Sequence, residues 1–174
     1  MADSEVLRHV ERYLGPRRRT HAAAAGAIAV HEGPSMVSAV TDGLPSPATP
    51  LPLELACSAR PGQADEAVRL VAMFAEVTAR DGSEVEYDDG FLGEDPLLPG
   101  TEIRGLLAAP HPYADEMFNL FRDAAGELRL QFVTLVPITG PEGRHLRDHE
   151  TGELFELWES RDTDLLDLHR ASAI

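Results

Sequence analysis

Apolar residues recur at helical spacing near the start of the chain, where Val6, Leu7, Val10, Tyr13 and Leu14 fall on one stripe. The pattern predicts an amphipathic helix over residues 3–14, capped by Asp3 or Ser4 and stopped by Gly15-Pro16. From Ala22 to Ser58 the period shortens into apolar runs broken by turn residues, and strands are expected over 27–31, 36–41 and 51–57. The connector 42–50 carries too many prolines for anything but an ordered or extended loop. Alternation puts Leu53, Leu55 and Cys57 on one face, so Cys57 reads as a small buried hydrophobe with no neighbouring base to activate it.

Helical spacing returns over residues 63–80, with Ala67, Leu70, Val71, Phe74 and Val77 on one stripe and Asp81-Gly82 closing the element. The next segment holds few apolar anchors beyond Val85, Tyr87, Phe91 and Leu92, and reads as a long surface excursion. A strand is expected over 103–110, followed by a hairpin of Met117–Arg122, the turn Asp123–Gly126 and Leu128–Pro137. Leu128, Leu130 and Phe132 alternate with polar residues before the run becomes apolar on both faces, the pattern of a strand central to its sheet. Beyond Pro141 the chain reads as helix or helix pieces, anchored by Leu154, Phe155 and Trp158 and again by Leu165, Leu166 and Leu168. The expected architecture is α+β: one domain over residues 1–174, with a mostly antiparallel mixed sheet flanked by helices.

Charge narrows the function. The chain has fifteen arginines, no lysine and thirty carboxylates, a formal net charge of −15. Residues 1–60 hold six arginines and six carboxylates, so the whole excess lies downstream. It is densest where Asp81, Glu84, Glu86, Asp88, Asp89, Glu94 and Asp95 occur without an intervening arginine. Such a surface repels polyanions and steers basic partners, so nucleic acid is not an expected ligand. Arg17-Arg18-Arg19, the one basic cluster, reads as a solvated turn or as partners for carboxylates of the same chain. A single cysteine excludes a disulfide framework and a Cys-based zinc finger, and suits a reducing cytoplasm. No apolar run approaches the ~18 residues of a membrane span, and acids stand near the N-terminus, so a cytoplasmic protein without a membrane partner is expected.

Few constellations suggest chemistry. His145-Leu146-Arg147-Asp148-His149 is similar to an inverted zinc-protease helix with Asp in the glutamate position. On one continuous helix His145, His149 and Glu153 would share a face and could hold a metal ion, which makes a small metal-dependent hydrolase the alternative reading. Asp148 is one methylene short for a general base there, and a surface helix with two histidines explains the spacing as well. Gly33-Pro34-Ser35-Met36-Val37 lacks the second glycine of a nucleophile elbow, and Asp88-Asp89-Gly90 is out of register for an EF-hand. His111-Pro112-Tyr113 could line a partner groove or simply shape a turn.

The chain resembles the suppressor-of-fused family at Phe118-Asn119-Leu120-Phe121, the Gly126 turn, Phe132-Val133-Thr134-Leu135-Val136-Pro137-Ile138-Thr139 and Glu142, followed by Gly152-Glu153-Leu154-Phe155-Glu156-Leu157. Upstream, Val37-Ser38-Ala39-Val40-Thr41-Asp42-Gly43-Leu44 and Leu53-Glu54-Leu55 are similar to the family's Thr-x-Gly-Leu step and its following apolar-Glu-Leu strand. Their order agrees with one family domain from Val6 to Leu168, without the second, C-terminal domain of the animal members. The resemblance implies binding rather than catalysis, no cofactor, and, as proposed for small bacterial members, neutralisation of toxins that are often nucleases. The expected partner is a basic protein, with contacts on Glu84, Glu86, Asp88, Asp89, Glu94 and Asp95 and with Tyr87 and Phe91 as apolar anchors. A subunit of a homo-oligomer is a third reading.

Overall fold

The computed structural model of the chain describes residues 2–45, 51–82 and 84–174, with side chains from Ser4 onward. The connector residues 46–50, Ser83 and a capping role for the Asp3 side chain lie outside the described residues. The chain opens with α1 (Ala2–Leu14), then β1 (Arg17–Ala23), β2 (Gly26–Glu32), β3 (Val37–Asp42) and β4 (Leu53–Ala59). Helix α2 (Ala64–Asp81) leads to β5 (Gly90–Leu92), β6 (Ile103–Ala109), a single 3-10 turn, β7 (Leu120–Arg122) and β8 (Leu128–Thr139). Two short helices follow, α3 (Gly140–His145) and α4 (Thr151–Ser160).

All eight strands form one sheet in the order β1-β2-β3-β4-β8-β6-β5, with β7 also paired to β8. Only β4 with β8 is parallel; the other pairings are antiparallel. The expected α+β class and mixed sheet are present. The twelve-residue β8 is central: its first half lies between β4 and β7, its second half beside β6. Its burial runs from exposed at Leu128 to fully buried from Phe132 onward, as its sequence pattern predicts.

Period-2 alternation divides the core into two layers. Ala39, Leu55, Cys57, Leu106, Ala108, Val133 and Leu135 face α2. On the opposite face Val40, Ala56 and Phe132 pack with α1 and Phe118, while Leu107, Ala109, Val136 and Ile138 pack with Leu154 and Trp158 of α4. In α2 the buried stripe is Ala67, Leu70, Val71, Ala75 and Thr78, so Phe74 is only partly buried and Val77 is exposed. Gly82 closes α2 in the left-handed region, φ 63°, its N–H bonded to Thr78 O at 3.0 Å. Gly15 ends α1 at φ 90°, where a Cβ would lie 2.3 Å from Glu32 O.

Three expectations need correction. Of the two readings of Arg17–Arg19 the turn is wrong, since they begin the edge strand β1, while the pairing with carboxylates of the same chain is present, with Asp42, Glu32 and Asp65. Charged side chains blunt an edge that would otherwise invite another strand. Met117–Arg122 is not one strand: the Asp115 carboxylate accepts Met117 N–H and caps the 3-10 turn Glu116–Asn119, leaving only Leu120–Arg122 to pair. Residues 161–174 carry no helix, because Asp164 and Asp167 accept Leu166 N–H and His169 N–H in local turns. Arg60 and Gln63 hold this tail against the start of α2 through Asp164, Asp167 and Leu168 N–H.

Candidate functional site

The acidic run is built onto the sheet by backbone bonds. Asp88 N–H donates to Ala108 O at 2.8 Å and Ala108 N–H donates to Asp89 O at 2.8 Å, extending the pairing of β5 with β6. Gly105 permits the approach, since a Cβ there would stand 2.3 Å from Phe91 O and 2.9 Å from the Ile138 side chain. Asp88 itself occupies the left-handed region, φ 73°, and the Asp89 carboxylate closes the turn by accepting Glu86 N–H at 2.8 Å. Within the expected surface excursion, residues 88–92 are thus held on the sheet edge.

Tyr87 is half-buried against the core, and its hydroxyl donates to Phe132 O at 3.3 Å. It pins the segment to the body. Glu84, Glu86, Asp88, Asp89, Glu94, Asp95 and Phe91 face solvent, Phe91 with 43% of its surface exposed. Among the described residues none of these six carboxylates is in an ion pair, whereas Arg17, Arg18, Arg19, Arg60 and Arg129 all engage carboxylates elsewhere. The edge therefore presents its negative charge outward.

Two buried carboxylates organise the interior. Glu54 accepts the Thr41 hydroxyl, Gly43 N–H at 2.8 Å and Leu44 N–H at 3.2 Å, which ties β4 to the end of β3. Burial pushes the Glu54 carboxyl up against the opposing pull of those hydrogen bonds. Glu142 is fully buried and accepts five donors: Arg170 Nη1 and Nη2, Trp158 Nε1, Thr139 N–H and Ala173 N–H. Burial alone would raise its pKa; the Arg170 bonds and charge and the two backbone donors outweigh it and hold the carboxyl below the ordinary range. Thr139 and Glu142 also form a reciprocal capping box at the start of α3.

Nucleophilic chemistry is blocked where it looks most plausible. Ser58 Oγ lies 2.8 Å from His111 Nε2 and 2.6 Å from Ser38 Oγ, a pairing across 53 residues that no local pattern announces. His111 Nδ1 accepts Tyr113 N–H and Ala114 N–H, so Nε2 carries the proton and donates to Ser58. A general base needs the reverse tautomer. The space beside Ser58 is about 10 Å³, no larger than one water. His111 is a buried structural residue rather than the lining of a partner groove, its pKa driven down to about 4 by burial. Cys57 is fully buried, and burial raises its thiol to about 12, far from a nucleophile at neutral pH.

The histidine pair does not lie on one helix. His145 ends α3, residues 146–150 form a turn, and Glu153 belongs to the first turn of α4. The turn nevertheless returns the chain, so ligand atoms of all three lie within 4.8 Å of one another. A separate cavity of about 660 Å³ lies between α1 and the sheet, lined by Val10, Val40, Phe121, Leu130 and Phe132 with Glu54 at its wall. No single run of the chain marks it, because its walls come from elements distant in sequence.

An α+β sheet protein with an outward-facing acidic edge, and with its buried carboxylates engaged in holding strands and tail, is the class these features define. The model of the suppressor of fused protein (SUFU) family matches residues 33–171, and the chain belongs to that family. The fold is similar over 99% of this chain to a SUFU homologue from Neisseria gonorrhoeae, with TM-score 0.74, 20% identity and 96% of that chain covered. It is also similar to a chain of the Sufu–Fu complex, with TM-score 0.71, 9% identity and 90% coverage. Drosophila Suppressor of Fused gives TM-score 0.69 and 10% identity, with 50% of that chain covered. A search of curated proteins finds no match. The residues that carried the family resemblance meet in space: Thr41, Gly43 and Leu44 on Glu54, and Thr139 on Glu142. Among the described residues no helix is long and apolar enough to cross a membrane.

Proposed function

We propose that this domain works by binding another protein rather than by catalysis, and that its partner is a basic, nuclease-like toxin that it neutralises in the cytoplasm. The observation that carries this reading is the row of exposed carboxylates Glu84, Glu86, Asp88, Asp89, Glu94 and Asp95, none in an ion pair among the described residues, on and beside the β5 edge that carries the exposed Phe91. A nuclease exposes a cationic groove for its substrate; a fixed array of carboxylates accelerates encounter with such a groove, and an apolar anchor slows escape. The Sufu–Fu complex among the structural neighbours supports a binding role for the fold.

The test compares the protein with a variant carrying Glu84→Arg, Glu86→Arg and Glu94→Arg, which leaves the Asp88–Asp89 turn intact. Both are immobilised and exposed to lysate of the source cells, and retained proteins are eluted with salt. A basic protein held by the parent, released as salt rises, absent from the variant and toxic when produced alone supports the reading. Equal retention of that protein by both removes the edge as its site, and a captured protein that is harmless when produced alone removes the toxin.

A further inference from the structure

Beyond protein binding, we propose that His145, His149 and Glu153 form a site for one divalent transition-metal ion, of the Zn²⁺ class, joining the end of α3 to the start of α4. Among the described residues these are the one group of three potential ligands gathered in this way, with ligand atoms within 4.8 Å of one another. A tetrahedral ion with bonds of 2.0–2.1 Å needs ligand atoms about 3.4 Å apart. Closing that difference requires the exposed Glu153 and His149 side chains to turn.

Two features point to an ion rather than to a chance meeting of surface groups, the free Nε2 of His149 and the unpartnered Nε2 of His145. The two imidazoles stack, with centroids 3.9 Å apart and planes 5° from parallel, so their in-plane lone pairs run side by side and the exposed His149 ring must turn for both to meet one ion. His149 Nδ1 lies 3.1 Å from His145 O; a carbonyl only accepts, so Nδ1 carries the proton and Nε2 keeps the lone pair a metal requires. His145 Nε2 is buried and, among the described residues, has no hydrogen-bond partner. Two imidazoles and one carboxylate favour Zn²⁺ and its neighbours over Mg²⁺ or Ca²⁺, and three protein ligands leave a fourth position for water or a partner's side chain.

The turn that carries the site also walls a cavity of about 240 Å³ shared with the acidic edge, lined by Asp88, Phe91, Leu92, Gly143, Leu146 and Arg147. A bound ion would fix the turn that forms one wall of that cavity. The assignment is one of binding, and hydrolysis is no part of it.

The test uses the full chain without an affinity tag, stripped with chelator and titrated with Zn²⁺ by calorimetry, alongside His149→Ala and Glu153→Gln. Both replaced side chains are exposed, and circular dichroism checks that each variant keeps the fold. The expected result is one ion per chain, a thermal midpoint that rises with Zn²⁺, and affinity at least about tenfold weaker in each variant, since even outer partners of metal ligands contribute that much. Absence of saturable one-to-one binding, or binding unchanged in His149→Ala, overturns the site. Neither result bears on the acidic edge, whose variants leave these three residues intact.

Discussion

Arg170 donates Nη1 and Nη2 to the two carboxylate oxygens of Glu142 at 2.7 and 2.8 Å, although 28 residues separate the pair and neither is exposed. Arg170 Nη2 also donates to Pro137 O at 3.0 Å, so one guanidinium joins the C-terminal tail, α3 and β8. The bidentate geometry explains why a charge pair survives in the interior: each oxygen also meets neutral donors, which offset the cost of leaving water.

Removal of either partner strands the other as an uncompensated buried charge. Glu142→Gln and Arg170→Met should each cost about 3–5 kcal/mol of stability by denaturant unfolding. The double variant should cost clearly less than their sum, because neither charge then remains. Additive losses would show that the two residues act independently.

Acid should destabilise the protein in two windows. His111 has a folded pKa of about 4 against an ordinary 6.5, so as pH falls between these values the unfolded chain takes up a proton that the folded one refuses. Stability should fall by about 3 kcal/mol over that window, and His111→Gln should flatten the loss. Glu142 acts lower. Its folded pKa lies below its ordinary 4.5, so its contribution is complete above that value and disappears as pH falls through the folded one. Unfolding free energies measured from pH 7 to pH 3 separate the two.

Cys57 should resist thiol reagents at pH 8 in the folded protein and react fully once denatured. Burial both screens the sulfur and raises its pKa to about 12, so native-state labelling should report only opening of the sheet. Rapid labelling of the folded protein would contradict the core placement of Cys57.

Much of the fold was legible because β8 and α2 carry strong periods, and the family resemblance rested on residues that now prove to hold each other. What escaped the sequence did so for physical reasons. Arg17–Ala23 is an edge strand, mostly exposed, so it has no apolar alternation to read. Leu165, Leu166 and Leu168 mimic helical spacing, yet the neighbouring aspartates favour turns and Arg170 reaches inward. Ser58 and His111, or His145 and Glu153, come together only through tertiary structure or a turn. The acidic run was visible as charge, but its place on the sheet edge depends on the closeness that Gly105 allows and on Tyr87 reaching Phe132.

The central claim is that the acidic edge steers and holds a basic protein, and its most direct test is the association rate of the captured partner measured against ionic strength. The account predicts fast association at low salt that slows steeply as salt rises. The Glu84→Arg, Glu86→Arg, Glu94→Arg variant should associate at least about tenfold more slowly at low salt and lose most of the salt dependence. Identical rates and identical salt slopes for parent and variant would contradict it.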